Sequence, residues 1–428
     1  MKRRFLAAAS IVTAAAALTA ACGGGSSSKS SSGKITLKFS STAWQNPTVA
    51  ANKKIVADWN AAHPNIQIQY IPVSADSVHD KLVTQFASNS APDIIHDEAA
   101  DIAGFAKQGY VIDLSSRLPA DLKSGIPQGI WDSVTFGGKV YGVPSLLQSY
   151  VVFANKSLLD KAGVTLPTTS SPWTWQQFQE AAKKTTSGKT YGVGWGLKSP
   201  VSAIISTALN FDGKFFYTSG GKTTVQFGPG EQAVPQAIHN MIFTDKSLAP
   251  QTVSMSGTDV LPGFFAGKYS MIVGGNYLAQ QMVEQAPKNF QWVMLPLLKG
   301  NTQQQMADPQ TYSVAAQSKH PKEAMEFIDY FLSAEHLAQL AQGDWLAPAS
   351  TQAAQTLLST AGNKNGWDIV ADSPKSLVAS PTVQLADYPK WKDEIAKPAL
   401  QEYLAGKIDL TALGKQLTDG WNKVSAGG

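Results

Sequence analysis

The sequence predicts an α/β fold built in two lobes, and three observations carry that prediction. From Ile35 to Asp97 the apolar residues switch between period two and helical spacing, in the order strand, helix, strand, helix, strand. That order is the mark of parallel strands joined by crossover helices. About 395 residues follow Gly33, more than one hydrophobic core usually organises. Two segments, beginning near Tyr141 and near Met306, place apolar residues on both sides of a polar centre, as a chain crossing from one lobe to the other requires.

Taken in order, Ile35, Leu37 and Phe39 define a first strand, and Ile55, Val56 and Trp59 the buried face of a helix that stops before His63-Pro64. Ile66, Ile68 and Tyr70 return to period two, Val78, Leu82 and Phe86 to a helix, and "PDIIHD" to a short buried strand. In such a sheet the ligand site lies beyond the carboxyl ends of the strands. Function is therefore sought at Trp44, Gln45 and Asn46 after the first strand, and at Asp97 and Glu98 after the third. "KVYGVPSLLQSYVVFANKSLLDKAG" supplies the first crossing. "SPWTWQQFQEAAKK" opens a helix with a capping box of Thr174 and Gln177. "FFAGKYSMIVGGNYLAQQM" joins a strand through Gly274-Gly275 to a helix starting near Asn276, "FQWVMLP" is a strand, and "MADPQTYSVAA" is the second crossing. Met325, Ile328 and Leu332 share a helical face before a new start at Ser333, and Leu410, Leu413, Leu417 and Trp421 mark a last helix. The expected division is 34–145 with 312–344 for lobe I, and 146–311 with 345–428 for lobe II.

Ahead of the lobes, Lys2, Arg3 and Arg4 precede an apolar run from Phe5 to Ala21, the form of an export signal. Seventeen alanine-rich residues make a weak membrane span, since roughly 20 apolar residues are needed. Ala20 and Ala21 before Cys22 resemble a bacterial lipobox, with Thr19 where Leu is commonest. Residues 1–21 are thus expected to be a signal peptide, and Cys22, the only cysteine, a lipidated N-terminus. The glycine and serine tract to Gly33 then serves as a flexible tether. Such a mature chain has no thiol for a disulfide or a metal.

Removing residues 1–21 lowers the net charge from +4 to about +1, which argues against nucleic acid as a partner. Arg117 is the one arginine left. Anions are usually gripped by guanidinium forks, so an anionic ligand is disfavoured. By contrast the chain holds 11 Trp and 12 Tyr, residue types that stack on polar rings, although many such rings belong in cores.

The blocks "WNAAHPNIQIQYIPV", "SAPDIIHDEAADIAGFAKQGYVIDLS", "GKVYGVPS", "NKSLLDKAGVTLP", "FAGKYSMIVGGNY" and "SKHPKEAMEFIDYFLSAE" together resemble the family 1 extracellular solute-binding proteins, sugar receptors of bacterial ABC importers. The resemblance covers residues 34–428 and rests on order and spacing, since no single block is specific. It implies a type II periplasmic-binding-protein fold, each lobe a mixed sheet flanked by helices and joined by hinge strands. It also implies capture of a neutral mono- or oligosaccharide in the interlobe cleft and delivery to permease subunits. The protein would be a monomer, lipid-anchored on the outer face of a Gram-positive cytoplasmic membrane, with no cofactor, metal or catalytic residue. The site residues implied are Trp44, Gln45, Asn46, Asp97, Glu98, Gln148, Trp195, Asn276, Tyr277, Asp308 and Trp345, with Tyr150 a further hinge candidate. Tyr277 stands where the family often has Trp.

Pyranose C–H faces stack on aromatic rings, and hydroxyls pair with carboxylates and amides. Plainer roles stay open: Trp44 as a packed loop ring, Trp195 as core, Asp308 as a turn cap before Pro309. Asp97 and Glu98 are neighbours in an extended chain, so one of them is expected to face ligand. The rivals are a binding protein for a polyamine, a peptide or a glycerol phosphate ester, and a surface scaffold. An enzyme is not expected. Glu98 and Asp308 could form a glycosidase pair, but there is no nucleophile elbow, phosphate loop or metal-ligand histidine spacing. "GVGWG" carries Leu197 where a dinucleotide fingerprint needs its third glycine.

Overall fold

The computed structural model describes residues 33–74, 77–362 and 364–426; the expected signal peptide, Cys22 and most of the tether lie outside them. Two sheets form the lobes. In the first, the strands run in the order Ala347–Pro348, Val143–Leu147, Pro309–Val314, Ile94–Glu98, Ile35–Ser41 and Ile66–Pro72. Ile35–Ser41 is parallel to both of its neighbours, as the crossover pattern requires, and Pro309–Val314 returns antiparallel. The crossover helices are Asn46–Ala62 and Val78–Ala87, and the positions read as their apolar faces are all buried. Phe39 anchors this core, with the rings of Tyr70, Tyr312, Phe327 and Phe331 centred 5.2–5.8 Å away.

The second sheet is ordered Trp292–Leu295, Tyr150–Asn155, Tyr269–Gly275 and Tyr191–Trp195. Helix Trp175–Thr185 packs on it with the expected capping box: Gln177 N–H donates to Thr174 Oγ1 at 3.1 Å, and Thr174 N–H to Gln177 Oε1 at 2.8 Å. The glycines of "GVGWG" are packing residues, not a phosphate cradle. A Cβ on Gly192 would lie 2.0 Å from the Ala182 carbonyl oxygen, and one on Gly194 2.6 Å from the Tyr269 ring.

The two crossings set the site. Val143–Leu147 belongs to the first sheet and Tyr150–Asn155 to the second, so Gln148 and Ser149 are the span between lobes. Ser149 N–H donates to Asn276 Oδ1 at 3.1 Å, and Asn276 N–H to the Ser149 carbonyl at 3.0 Å. Asp308 separates the strand Gln305–Ala307, which pairs with Leu377–Ala379, from Pro309–Val314. Gln305 braces both crossings: its amide accepts from Tyr150 N–H at 2.7 Å and donates to the Tyr150 carbonyl at 2.9 Å. The chain after Trp345 does not pass directly to the second sheet. Ala347–Pro348 pairs with Val143–Leu147, and the apolar face of helix Thr351–Ala361 joins the first core through Ala353 and Leu357.

Candidate functional site

The hinge and the second sheet build one wall. Gln148, Tyr150, Trp195 and Tyr277 meet around a cavity of about 190 Å³, with Lys198, Ser199 and the backbone of Gly274-Gly275 completing it. Gly275 is needed for this approach: a Cβ there would lie 2.5 Å from the Tyr277 ring and 2.9 Å from the Gln148 amide carbon. Trp195 both lines the cavity and belongs to the second core, 1% exposed with its ring 6.3 Å from that of Trp175. Asn276 is fully buried; its Oδ1 is spent on the hinge, while its Nδ2 and the Ser149 hydroxyl have no partner among the described residues.

The loop after the first strand faces this wall from the other lobe. Trp44 is 55% exposed, unusual for so large an apolar ring, and meets Tyr277 edge-on at 6.3 Å. Gln45 is buried: its Nε2 donates to the Asp344 carbonyl at 3.0 Å and its Oε1 accepts from Gln281 Nε2 at 3.1 Å, across the cleft. Asn46 is exposed and opens the helix Asn46–Ala62. Thr48 Oγ1 donates to Asp344 Oδ1 at 2.5 Å, but burial still lifts the Asp344 carboxyl to about 6. Trp345 ends helix Ala334–Asp344 at a left-handed φ of 54°, stacked 4.0 Å from Trp367 and edge-on to Trp292. Its place is a buried tryptophan cluster rather than the cavity wall.

Carboxylates gather at the floor of the cleft. Asp97 is 2% exposed; its Oδ1 accepts from Glu98 N–H at 2.9 Å and its Oδ2 has no partner among the described residues. Burial, then the charge of Asp101, holds it well above the usual carboxylate range. Glu98 points the other way, as strand alternation requires. It is open to cleft water, yet enough protein surrounds it that lost hydration, then Asp101, raises it too, with Lys392 pulling back. Asp308 is pushed up to about 8, first by burial and then by Glu98 and Asp101, against Lys392 and the N–H of Ala100. Its Oδ1 is likewise unpartnered. A second cavity of about 850 Å³ opens beside this floor, between helix Ala99–Lys107 and the segment 384–390. It is lined by Asp101, His79, Lys107, Phe136, Tyr141 and Lys390.

Sequence reading missed Asp101, Ser149, Gln281, Tyr388 and Lys392. Asp101 carried a signal, standing one helical turn beyond Asp97 where a helix follows the strand. Lys392 carried none, because only the fold brings it to Glu98.

Two α/β lobes, hinge strands carrying polar residues and a cleft with facing walls define a ligand-capturing binding protein. The chain belongs to the bacterial extracellular solute-binding protein family, whose profile matches residues 43–338. A lipoprotein of Streptomyces antibioticus, described as uncharacterised and encoded in the oleD 5' region, is 44% identical over 88% of this chain and 84% of its own. The ABC substrate-binding protein Lmo0181 of Listeria monocytogenes, solved with cycloalternan, superposes with a TM-score of 0.76 at 23% identity, over 92% of this chain and 99% of its own. The cyclic α-maltosyl-1,6-maltose binding protein of Arthrobacter globiformis gives 0.78 at 17% identity, over 92% and 100%. At such identities the likeness to the solved structures is one of fold.

Proposed function

We propose that the cleft captures a carbohydrate and that the protein delivers it, as a monomer, to the permease of an ABC importer. The observation that carries this is the smaller cavity: the rings of Tyr150, Trp195 and Tyr277 and the amide of Gln148 surround a space about the size of one hexose. Aromatic faces and hydrogen-bonding side chains in one small pocket suit a pyranose. The 850 Å³ cavity beyond the carboxylates leaves room for further sugar units, and the Arthrobacter neighbour is named for binding such a saccharide. The site residues proposed are those of the two walls and the floor: Trp44, Gln45, Asn46, Asp97, Glu98, Gln148, Trp195, Asn276, Tyr277 and Asp308. Trp345 acts by holding the tryptophan cluster beneath them.

A thermal-shift and calorimetry screen of the purified chain against mono- and oligosaccharides, with spermidine and glycerol phosphate alongside, tests this. A sugar at about 100 times its dissociation constant should add roughly 2.7 kcal/mol, a rise of several degrees in Tm. Tyr277→Ala should abolish that rise, read against the variant's own unliganded Tm because the ring also packs on the core. A rise only with the amine or the phosphate ester would discard the substrate class.

Anchoring at Cys22 by a lipid is part of the same proposal, supported by the leader and by the lipoprotein relative. Several acyl chains hold a protein on a membrane where one does not. Cys22→Ser should move the protein from the membrane fraction into the medium, and unchanged retention would refute the anchor.

A further inference from the structure

Gln45 precedes the helix Asn46–Ala62 at the position whose side chain ordinarily caps the first turn, yet it makes no such bond. Its amide is spent on a row of bonds across the mouth. Gln285 Nε2 donates to Gln281 Oε1 at 2.6 Å, Gln281 Nε2 to Gln45 Oε1 at 3.1 Å, and Gln45 Nε2 to the Asp344 carbonyl at 3.0 Å. Gln281 and Gln285 stand on helix Leu278–Gln285, which follows a strand of the second sheet, whereas Gln45 follows a strand of the first. The three amides therefore point the same way, and the row ends on Asp344.

Asp344 holds that end in place through main chain and side chain together. Its carbonyl takes the Gln45 amide, and its Oδ1 accepts from Thr48 Oγ1 at 2.5 Å, in the first turn of the helix that Gln45 precedes. The carboxylate draws on the Gln45 amide as well. The two helices meet here with no side chain between them: a Cβ on Gly343 would lie 2.6 Å from Thr48 Oγ1 and 2.8 Å from Thr48 N. A carboxylate set against the unpaired N–H groups of a helix's first turn is favoured by the helix dipole. Gln45, Thr48 and Asp344 are all buried, where such bonds are stronger than in water.

We infer that Asp344 is a positioning residue for closure: it fixes Gln45 so that the Gln45 amide oxygen meets Gln281, and this latch between the lobes holds firmly only while the Asp344 carboxylate carries its charge. No cation shares that charge, since Thr48 and Gln45 are the groups that act on it among the described residues. The titratable groups within its field are the phenols of Tyr70 and Tyr312. Helix Thr351–Ala361 and the strands Val143–Leu147 and Ala347–Pro348 carry no titratable side chain. Lys53, Lys54 and Asp58 of Asn46–Ala62 are exposed, as is Glu284 of Leu278–Gln285, and the charges of Pro321–Phe331 do not act on the carboxyl. Burial therefore lifts it to about 6 against the Thr48 and Gln45 bonds. Below that value the carboxyl is protonated, and the bonds from Thr48 and Gln45 fall from charge-assisted to neutral strength. Closure favours the ionised form, so the closed fraction is full above about pH 7 and declines as pH falls through 6.

The test reads closure itself and needs no ligand, so its failure leaves the carbohydrate reading standing. Donor and acceptor dyes at Lys53→Cys and Lys288→Cys, exposed positions on the two sides of the mouth, are placed in the full chain carrying Cys22→Ser. Time-resolved energy transfer then gives the separation of the lobes at pH 5 and 7.5. The ratio of open to closed molecules should rise about fivefold on acidification, the step from a charge-assisted to a neutral bond. Asp344→Asn should show the acid ratio at both pH values. Gln281→Ala should be open to a similar degree and equally indifferent to pH, which a purely structural Asp344 would not produce. Thr48→Val is the second variant should Asp344→Asn not fold: with one donor lost, the transition should move to higher pH. A native ratio that does not change between pH 7.5 and 5 overturns the inference. So does an Asp344→Asn or a Gln281→Ala chain that follows the native one at both values.

Discussion

His96 is a histidine that the fold keeps neutral. It is 2% exposed, with Nδ1 3.1 Å from Ser41 Oγ and Nε2 3.1 Å from Gln310 Oε1, and its ring stacks 4.6 Å from Tyr312. Burial depresses its titration from 6.5 to about 4, with the Gln310 bond opposing. Between those values the unfolded chain holds the proton and the native one does not. The stability tied to this ring is thus fully present above about 6.5 and is lost as pH falls toward 4. From pH 7 to 4.5 the loss is about 2 kcal/mol. Carboxyls raised by burial, such as Asp344 and Asp308, work in the opposite direction, so the effect is read as a difference between variants. Urea unfolding of the native chain and of His96→Gln at both pH values should show the variant losing about 2 kcal/mol less on acidification. Equal losses would mean that His96 is charged in the fold or already bonded as a cation.

At the scale of elements, what was legible in the sequence was whatever is decided locally. Val78, Leu82 and Phe86 recur at helical spacing and are buried on one face of Val78–Ala87. Thr174 and Gln177 satisfy each other's backbone donors whatever surrounds them. Both crossings were readable too, because Gln148-Ser149 and Asp308 interrupt apolar runs that belong to different sheets. The two-residue strand Ala347–Pro348 has no period to read; only pairing with Val143–Leu147 makes it a strand. For that reason the return to the first lobe after Trp345 was not foreseen. The site divides along the same line. Trp44 was visible as an aromatic at a strand end and Tyr277 through the family resemblance, whereas the alternation that sends Asp97 inward and Glu98 into the cleft fixes their roles only once the sheet is formed. Trp345 looked like a cleft ring from its position after a helix pair, yet Trp367 and Trp292, distant in sequence, hold it in a buried stack.

For the whole molecule, function depends on how firmly the two lobes hold together without ligand. Among the described residues, the contacts at the mouth itself are polar or edge-on, Gln281 to Gln45, Trp44 against Tyr277, and Gln384 Nε2 to the Thr135 carbonyl at 3.3 Å, while Trp345 against Trp292 joins the lobes in the buried stack. A neutral hydrogen bond contributes about 1 kcal/mol net, so this mouth opens at little cost, as a capture protein needs. The apparent affinity is the intrinsic one scaled by the fraction of molecules able to close. Gln281→Ala removes a closing contact in a side chain outside both cavities. It should therefore weaken binding of the best sugar about fivefold, and the loss should appear in the off-rate, since encounter with the open cleft is unchanged. Stopped-flow tryptophan fluorescence can follow this, because Trp44 sits at the mouth. Equal off-rates in the native chain and the variant would show that the ligand's own contacts hold the cleft shut and that the Gln45–Gln281 bond is only a consequence of closure.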